Sequence, residues 1–162
     1  MKQIILYDSA TGNTEYLAKA LSHALPNVPC GPVGSLDCSK AELVYLGFWT
    51  DKGTADQACL ELLGRLRNKK IFLFGTAGFG GSEAYYQKIL ANVRTAIDAS
   101  NTVVGEYMCQ GRMPQVVRDR YVKMKEMPDA KPNLDALIEN FDQALSHPDQ
   151  EDLERLRRMI TG

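Results

Sequence analysis

Residues 4–14, which read Ile-Ile-Leu-Tyr-Asp-Ser-Ala-Thr-Gly-Asn-Thr, decide the fold of this chain. Residues 4–7 are apolar, and the run stops at a hydroxyl-rich turn over residues 9–14. A helix pattern follows at once, with one apolar face formed by Leu17, Ala20, Leu21, Ala24 and Leu25. The stretch therefore predicts a strand that passes through a short turn into an amphipathic helix over residues 15–25.

The turn at residues 9–14 suits an anion, phosphate above all. A helix start leaves unpaired backbone N–H groups aimed at one point, and the helix dipole adds partial positive charge there. The turn contains no Lys or Arg, so we expect the donors to be backbone amides and the hydroxyls of Ser9, Thr11 and Thr14. Gly12 and Asn13 allow close backbone approach. The alternative is an ordinary well-capped turn, but ligands of open α/β sheets bind where the strands end, which favours a site.

Composition bounds the class of protein. The chain has 162 residues, 44 % of them hydrophobic, which is enough for one domain. A net charge of −1 argues against nucleic acid or an anionic membrane surface as a partner. No apolar stretch reaches the length of a membrane span and residues 1–25 lack a signal-peptide pattern, so we expect a cytoplasmic protein. The four cysteines have no zinc-like spacing and are interpreted as small, mostly buried thiols in a reducing compartment.

Apolar runs alternate with helix patterns along the rest of the chain. Strands are predicted at residues 43–48, 71–74 and 102–109, with a short edge strand between residues 28 and 36. Helices are predicted at residues 54–67, opened by a capping box of Thr54 and Gln57, and at residues 82–97. A further core helix after Asn133 is predicted to bury Leu134, Leu137, Ile138, Phe141 and Leu145. The alternation predicts an α/β fold, a doubly wound parallel sheet of five strands in the order 2-1-3-4-5 with helices on both faces.

The segment at residues 110–132 departs from this repeat. It carries six Lys or Arg against three acidic residues, and Val117, Tyr121 and Met124 have helical spacing. We interpret it as a solvated connecting helix, or else as a lid or partner-docking face, because it starts at the carboxyl end of a strand. After Pro148 a last helix is predicted to turn Leu153, Leu156, Met159 and Ile160 inward, either onto the domain or into self-association. Residues 1–146 are thus predicted to form the domain and residues 147–162 a helical extension of it.

Three segments are predicted to meet at one edge, because the carboxyl ends of parallel strands all lie on the same side of a sheet. They are residues 9–14, residues 49–53 and the glycine-rich residues 75–81. Two of these segments contain a large ring, Trp49 in one and Phe79 in the other. Exposed at a crevice, such rings suit a flat aromatic ligand, and the alternative for each is a ring folded back onto the core. A phosphate cradle beside aromatic walls predicts a site for a phosphorylated planar cofactor.

These residues resemble the flavodoxin family. The turn Ser9-Ala10-Thr11-Gly12-Asn13-Thr14 matches the flavodoxin phosphate loop, Ser/Thr-x-Thr-Gly-x-Thr, in its usual place after the first strand. Trp49 follows the third strand, as the stacking Trp does in many flavodoxins, and residues 75–82 follow the fourth, where the second flavin-contacting loop lies. The resemblance spans residues 1–146 and is closest to the short-chain type.

The resemblance implies that the protein binds FMN non-covalently and carries single electrons to or from a redox partner protein, a reductase or an acceptor enzyme. It places the FMN phosphate on Ser9, Ala10, Thr11, Gly12, Asn13 and Thr14. It places Trp49 on the isoalloxazine ring, with Thr50, Asp51, Lys52 and Gly53 beside the N5 edge. It places Thr76, Ala77, Gly78, Phe79 and Gly80 around the pyrimidine side. The redox chemistry belongs to the flavin, so no catalytic side chain and no metal is expected.

The chain also departs from the family pattern. Phe79 stands in the loop that usually carries a stacking Tyr, and Thr50 stands where many flavodoxins have a glycine whose peptide can flip. The sequence pI of about 6.1 is higher than in strongly acidic flavodoxins. With Lys52 and Arg112 expected near the ring, we predict a less negative potential for full reduction.

Two strings, Gly-Phe-Trp-Thr-Asp-Lys-Gly and Cys-Gln-Gly-Arg-Met, resemble a divergent flavodoxin-like group from anaerobic gut bacteria. Some members of that group are linked with bilirubin reduction, which implies a dedicated reductase as the partner. Two other functions remain open, an FMN-dependent quinone or NAD(P)H oxidoreductase of the same fold and an accessory subunit that has lost FMN. A phosphoacceptor domain is disfavoured because Gly47, Phe48 and Trp49 stand where that family has a carboxylate.

Overall fold

A computed structural model describes residues 1–79 and 82–161 of the chain. Within these residues, six strands and six helices follow one another in the order β1 (Gln3–Tyr7), α1 (Asn13–Ala24), β2 (Cys30–Pro32), β3 (Leu43–Asp51), β4 (Thr54–Ala55), α2 (Gln57–Arg65), β5 (Lys70–Ala77), α3 (Glu83–Arg94), β6 (Thr102–Gln110), α4 (Gln115–Lys125), α5 (Leu134–Ala144) and α6 (Gln150–Thr161). The expected alternation of strands and helices is present.

The sheet has the order β2-β1-β3-β5-β6, and all four of these pairings are parallel. This confirms the predicted order of the five parallel strands. The additional strand, β4, was not predicted; it pairs antiparallel with the end of β3. The edge strand β2 is only three residues long, as the two prolines and two glycines of residues 28–36 predict.

Alternating strand residues build two apolar layers, one on each face of the sheet. Ile4, Leu6 and Leu46 face the layer that α2 and α3 cover, whereas Ile5 and Tyr45 face the layer that α1 and α6 cover. Side chains of a strand alternate between faces, so a run of consecutive apolar residues is buried on both sides. The core therefore explains why these strands carry almost no polar residues.

The helix that follows β3 begins later than the capping box suggested. Thr54 lies in β4, and α2 begins at Gln57 with Asp56 as its N-cap, whose carboxylate accepts from the amide of Cys59. The predicted capping residue was therefore wrong. Asp is as good a cap as Thr, and the intervening residues form a strand instead.

Two predicted core positions near the end of the chain are exposed. Leu145, the C-cap of α5, is 49 % exposed, and Met159 of α6 is 46 % exposed. The other predicted anchors of α6, Leu153 and Leu156, are buried against the layer that contains α1. The helix thus packs onto the domain, which is the first of the two alternatives for this segment.

The basic segment contains a short helix, as predicted. None of the residues of α4 is buried, and the helix is joined to α5 through ion pairs of Arg118 with Asp142 and of Lys125 with Asp135. This is the arrangement of a solvated connecting helix. Within the described residues, no helix combines the length and apolarity needed to cross a bilayer.

Candidate functional site

A cavity of about 210 Å³ opens at the carboxyl edge of the sheet. Four segments of the chain line it: Ala10, Thr11 and Asn13 from the first turn, Trp49 and Thr50 from β3, Thr76, Ala77 and Gly78 from the end of β5, and Gly111, Arg112, Met113 and Pro114 from the connection between β6 and α4. The first three segments are those that the sequence predicted to converge. The fourth was not among the predicted binding residues.

The turn at residues 9–14 leads into the N-terminus of α1 beside this cavity. Gly12 has φ of +91°, in the left-handed region that suits glycine, and a Cβ there would meet nothing within 4 Å. The Ser9 hydroxyl oxygen accepts from the amides of Gly12 and Glu15 at 3.1 and 3.3 Å, which closes the turn. Asn13 and Thr14 are the first two residues of α1, and backbone N–H groups at the start of a helix have no acceptor within the helix.

The Thr14 hydroxyl does not face the cavity as an anion donor would. It is fully buried and lies 3.1 Å from both the carbonyl oxygen of Phe48 and the hydroxyl of Thr76. Thr14 therefore joins α1 to the ends of β3 and β5. Because its hydroxyl is engaged within the protein, Thr14 can bind a phosphate only through its backbone amide.

Thr11 and Asn13 bind a neighbouring segment of the protein. The Asn13 side-chain amide donates to the carbonyl oxygen of Arg112 at 2.8 Å and to the Thr11 hydroxyl at 3.0 Å, and that hydroxyl donates to the same carbonyl at 3.4 Å. The carbonyl oxygen of the Asn13 side chain is buried and has no partner among the described residues. A buried polar atom without a partner is costly, so this oxygen marks a place for a donor from outside the chain.

Trp49 is half-buried, and hydrogen bonds from its indole and its backbone amide fix its orientation. The indole Nε1 donates to a carboxylate oxygen of Asp8 at 3.1 Å, and the Trp49 backbone amide donates to Asp56 at 3.2 Å. The ring therefore has a fixed orientation with part of its surface on the cavity. It is not folded into the core. Asp8, which the sequence analysis passed over, immediately follows β1 and precedes the predicted turn.

Behind Trp49 lies a buried carboxyl group, that of Asp56. Burial and the neighbouring Asp8 carboxyl raise the pKa of Asp56 to about 7. One carboxyl of the pair therefore holds a proton in weakly acidic solution. Burial also raises the pKa of the Cys59 thiol next to it, which keeps that thiol neutral.

Residues 49–53 form a hairpin where a loop was expected. Residues 49–51 continue β3, and Lys52 and Gly53 have φ of +54° and +84°, as in a two-residue turn of type I′. The Thr50 hydroxyl oxygen lies buried at the cavity without a partner among the described residues. Asp51, Lys52 and Gly53 form the turn next to the cavity but do not line it. The Gly53 carbonyl accepts from the Asn92 side chain at 2.8 Å, which fixes the tip of the hairpin.

The segment after β5 contributes only its first part. Thr76, Ala77 and Gly78 line the cavity, whereas Phe79 is 40 % exposed and stands outside its wall. The Gly78 carbonyl accepts from the side chains of Gln110 and Asn140, each at 3.1 Å. Gly80, another predicted cofactor residue, lies outside the described residues.

The connection after β6 closes the cavity; the sequence predicted that Arg112 lies near the ring but assigned no residue of this connection to cofactor binding. A Cβ on Gly111 would lie 2.5 Å from the Asn13 side-chain nitrogen, and one on Gly78 would lie 2.6 Å from Met113. These two glycines let the segment pack closely over the turn and the end of β5. The usable signal in the sequence was Gly111 directly after an apolar strand.

The arrangement is that of a binding site. It joins a helix N-terminus, one oriented indole and two buried oxygens that need donors. Burial raises the pKa of the Cys109 thiol, so this cysteine is a neutral side chain of the core.

Comparison with known proteins gives a consistent result. Residues 4–161 match the family model described as the flavodoxin domain. A flavodoxin-like domain-containing protein BilS from Clostridium symbiosum (strain WAL-14163) is 36 % identical over 179 aligned positions, which cover 99 % of this chain and 94 % of that protein. A second protein of that name, from Clostridioides difficile (strain CD3), is 29 % identical and covers 94 % of this chain and 90 % of its own length.

Among solved structures, a flavoprotein from Lactobacillus acidophilus NCFM in complex with FMN superposes with a TM-score of 0.53. The alignment has 14 % sequence identity and covers 67 % of this chain and 93 % of that one. At this identity the likeness concerns the fold alone.

Proposed function

This chain belongs to the flavodoxin domain family, and from that premise we propose that it binds FMN in the carboxyl-edge cavity and carries single electrons to a partner protein. FMN is the cofactor that family membership supports, and a structural neighbour of this chain contains it. When bound, FMN supplies the redox chemistry, and the protein holds and orients it.

One observation carries this proposal: the N-terminus of α1 and the ring of Trp49 line the same cavity. A helix N-terminus suits a phosphate, and an indole suits a flat ring system. A phosphorylated isoalloxazine derivative has both parts within one molecule.

The residues present fit FMN. The side-chain carbonyl of Asn13 and the hydroxyl of Thr50 are buried without partners among the described residues, and FMN carries polar groups that satisfy such atoms. The open space above Gly12 lets a phosphate approach the amides of the turn. We assign the phosphate to the turn at residues 9–14, with the Ser9 hydroxyl and the amides of Asn13 and Thr14 as donors, because the hydroxyls of Thr11 and Thr14 already donate within the protein.

Trp49 is assigned to the isoalloxazine ring, since Asp8 fixes the indole at the cavity. Thr50 and the hairpin tip at Asp51, Lys52 and Gly53 are assigned to one edge of the ring. Thr76, Ala77 and Gly78 are assigned to the other edge, together with the predicted contacts of Phe79 and Gly80.

The partner proposed for this carrier is a dedicated reductase. The support is the resemblance of residues 47–53 and 109–113 to a group linked with bilirubin reduction, together with the similarity to the two BilS proteins. These relatives match over nearly their whole length, so the comparison concerns the complete domain.

The proposal is tested by the visible spectrum of the purified protein, followed by titration with FMN and with FAD. We expect a yellow protein, or a colourless one that becomes yellow and quenches FMN fluorescence at one equivalent. A protein that binds no FMN would refute the cofactor assignment and favour an accessory subunit without flavin.

The carrier role has its own test. The FMN-loaded protein is mixed with NADH or NADPH and a quinone, and oxidation of the nucleotide is followed. We expect no steady turnover. Sustained nucleotide oxidation by the protein alone would contradict the carrier role and select the oxidoreductase alternative.

A further inference from the structure

We propose that Arg112 is the cation that binds the FMN phosphate and makes the site select phosphorylated flavin over riboflavin. The inference rests on the proposed binding of FMN. It concerns a residue outside the turn at residues 9–14, which contains no Lys or Arg.

The backbone of Arg112 is fastened beside that turn. Its carbonyl oxygen accepts from the side chains of Thr11 and Asn13 at 3.4 and 2.8 Å, and its amide donates to the carbonyl of His147 at 3.1 Å. The preceding amide, that of Gly111, donates to the carbonyl of Ala77 at 2.9 Å. Hydrogen bonds of its amide and its carbonyl therefore fix the backbone of Arg112, so its side chain begins next to the N-terminus of α1.

Arg112 is also the one charged residue among the twelve described residues that line the cavity. It forms no ion pair with a carboxylate of residues 1–79 or 82–161, whereas Arg118 pairs with Asp142 and Arg94 pairs with Glu106. Its side chain is exposed, so a guanidinium at the mouth of the cavity is available to an incoming anion.

Such a cation would add to what the turn offers a phosphate. A phosphate monoester carries close to two negative charges at neutral pH. Thr11, Asn13 and Thr14 already donate to protein acceptors, so the turn itself offers mainly amides and the helix dipole. An arginine donates two parallel hydrogen bonds to a phosphate and supplies the charge that amides lack.

The test compares three variants with the wild type by fluorescence titration with FMN and with riboflavin, each in low and high salt. Arg112→Gln removes the cation. Arg112→Lys keeps the positive charge but lacks the paired N–H donors of the guanidinium. Arg120→Gln is the matched control, because it removes the same charge from α4 at an exposed position that does not line the cavity. Circular dichroism and thermal unfolding establish that each variant is folded; the backbone hydrogen bonds of residue 112 do not depend on its side chain.

We expect Arg112→Gln to weaken FMN binding about 10- to 100-fold and to leave riboflavin binding within about twofold of the wild type. We expect Arg112→Lys to recover part of the loss, Arg120→Gln to bind FMN like the wild type, and the salt dependence of FMN binding to be smaller in Arg112→Gln.

Three results would overturn the inference while leaving FMN binding established: unchanged FMN affinity in Arg112→Gln, an equal loss in Arg120→Gln, or an equal loss of riboflavin affinity. Failure of the wild type to bind FMN would instead refute the proposed function.

Discussion

The two ends of α1 each border a cavity, and the cavities differ in kind. At its C-terminus, Ala24 and Leu25 line an open cavity of about 580 Å³ at the amino edge of the sheet, together with the first residues of the chain. At its N-terminus the cavity has only about 210 Å³. The smaller one is nevertheless the better candidate, because the helix dipole favours an anion at the N-terminus and disfavours one at the C-terminus.

The difference teaches that volume does not identify a site in this fold. Three features shape the smaller cavity. Gly12 adopts a left-handed backbone conformation, Gly78 and Gly111 allow neighbouring segments to pack closely, and the Trp49 indole is fixed by its hydrogen bond to Asp8. The direction of the parallel strands places all of these features at one edge. Four predictions test this difference between the two edges of the sheet.

The largest effect is expected at Trp49. Trp49→Ala removes the ring assigned to the flavin, and we expect FMN affinity to fall about 100-fold, through lost stacking and lost apolar burial. Leu25→Ala is the matched change in the other cavity and is expected to lower the thermal midpoint without altering FMN affinity. Fluorescence titration measures both, and an equal loss of affinity in the two variants would erase the distinction between the edges.

A second test uses the carboxyl groups of the two edges. The pKa of Asp56 is raised to about 7 by burial and by Asp8, whereas an amide hydrogen bond from Ser39 lowers the pKa of Asp37 at the amino edge. An acid with a raised pKa binds a proton on folding, so the stability that Asp56 contributes is complete below about pH 4 and is lost as the pH rises towards 7.

We therefore expect the free energy of unfolding to fall by about 2–3 kcal/mol between pH 5 and pH 8. Asp56→Asn should remove most of this fall and Asp37→Asn should preserve it, as measured by urea denaturation at both pH values. A wild-type protein equally stable at pH 5 and pH 8 would contradict the prediction.

A third test alters a glycine. A Cβ on Gly111 would meet the Asn13 side chain at 2.5 Å, so Gly111→Ala should push the closing segment away from the turn. We expect FMN affinity to fall about tenfold, a loss of about 1.4 kcal/mol. Gly64→Ala, on α2 with open space around the position, should leave FMN affinity unchanged and raise stability slightly. Titration and thermal unfolding separate the two; equal behaviour would show that the close approach at Gly111 is unimportant.

The smallest effect is expected for surface charge. Lys52 lies in the hairpin turn beside the cavity, and Lys40 borders the other cavity. A nearby cation stabilises the reduced, anionic flavin, so Lys52→Gln should make the midpoint potential for full reduction more negative by about 10–40 mV. Lys40→Gln should leave it unchanged. Potentiometric titration decides, and a shift to less negative values in Lys52→Gln would contradict the assignment.

Much of the fold follows from local patterns in the sequence. Runs such as residues 71–74 are apolar on both faces, which is typical of a covered parallel strand, and the predicted order of strands is compatible with right-handed crossovers. The turn at residues 9–14 was found because its chemistry lies in consecutive residues. The start of α2 was missed because Thr54 and Asp56 are both acceptable caps, and only the pairing of β4 with β3 decides between them.

The rest of the site depends on contacts that are distant in sequence. Asn13 and Arg112 are separated by 99 positions, and nothing in either local sequence announces their hydrogen bond. The role of Asp8 depends on the direction of the Trp49 indole, which only the packed structure fixes. Phe79 was predicted from its ring and from the position of its loop after the fourth parallel strand, and neither fixes where the side chain lies; the structure places it outside the cavity wall.

The bond from the Arg112 amide to the His147 carbonyl has a consequence for the cavity. Residue 112 closes over a turn near the start of the chain but is anchored on a residue near its end. The segment that borders the cavity is therefore fastened by a residue 35 positions further along the chain, so a change that displaces residue 147 is transmitted to the cavity without touching it.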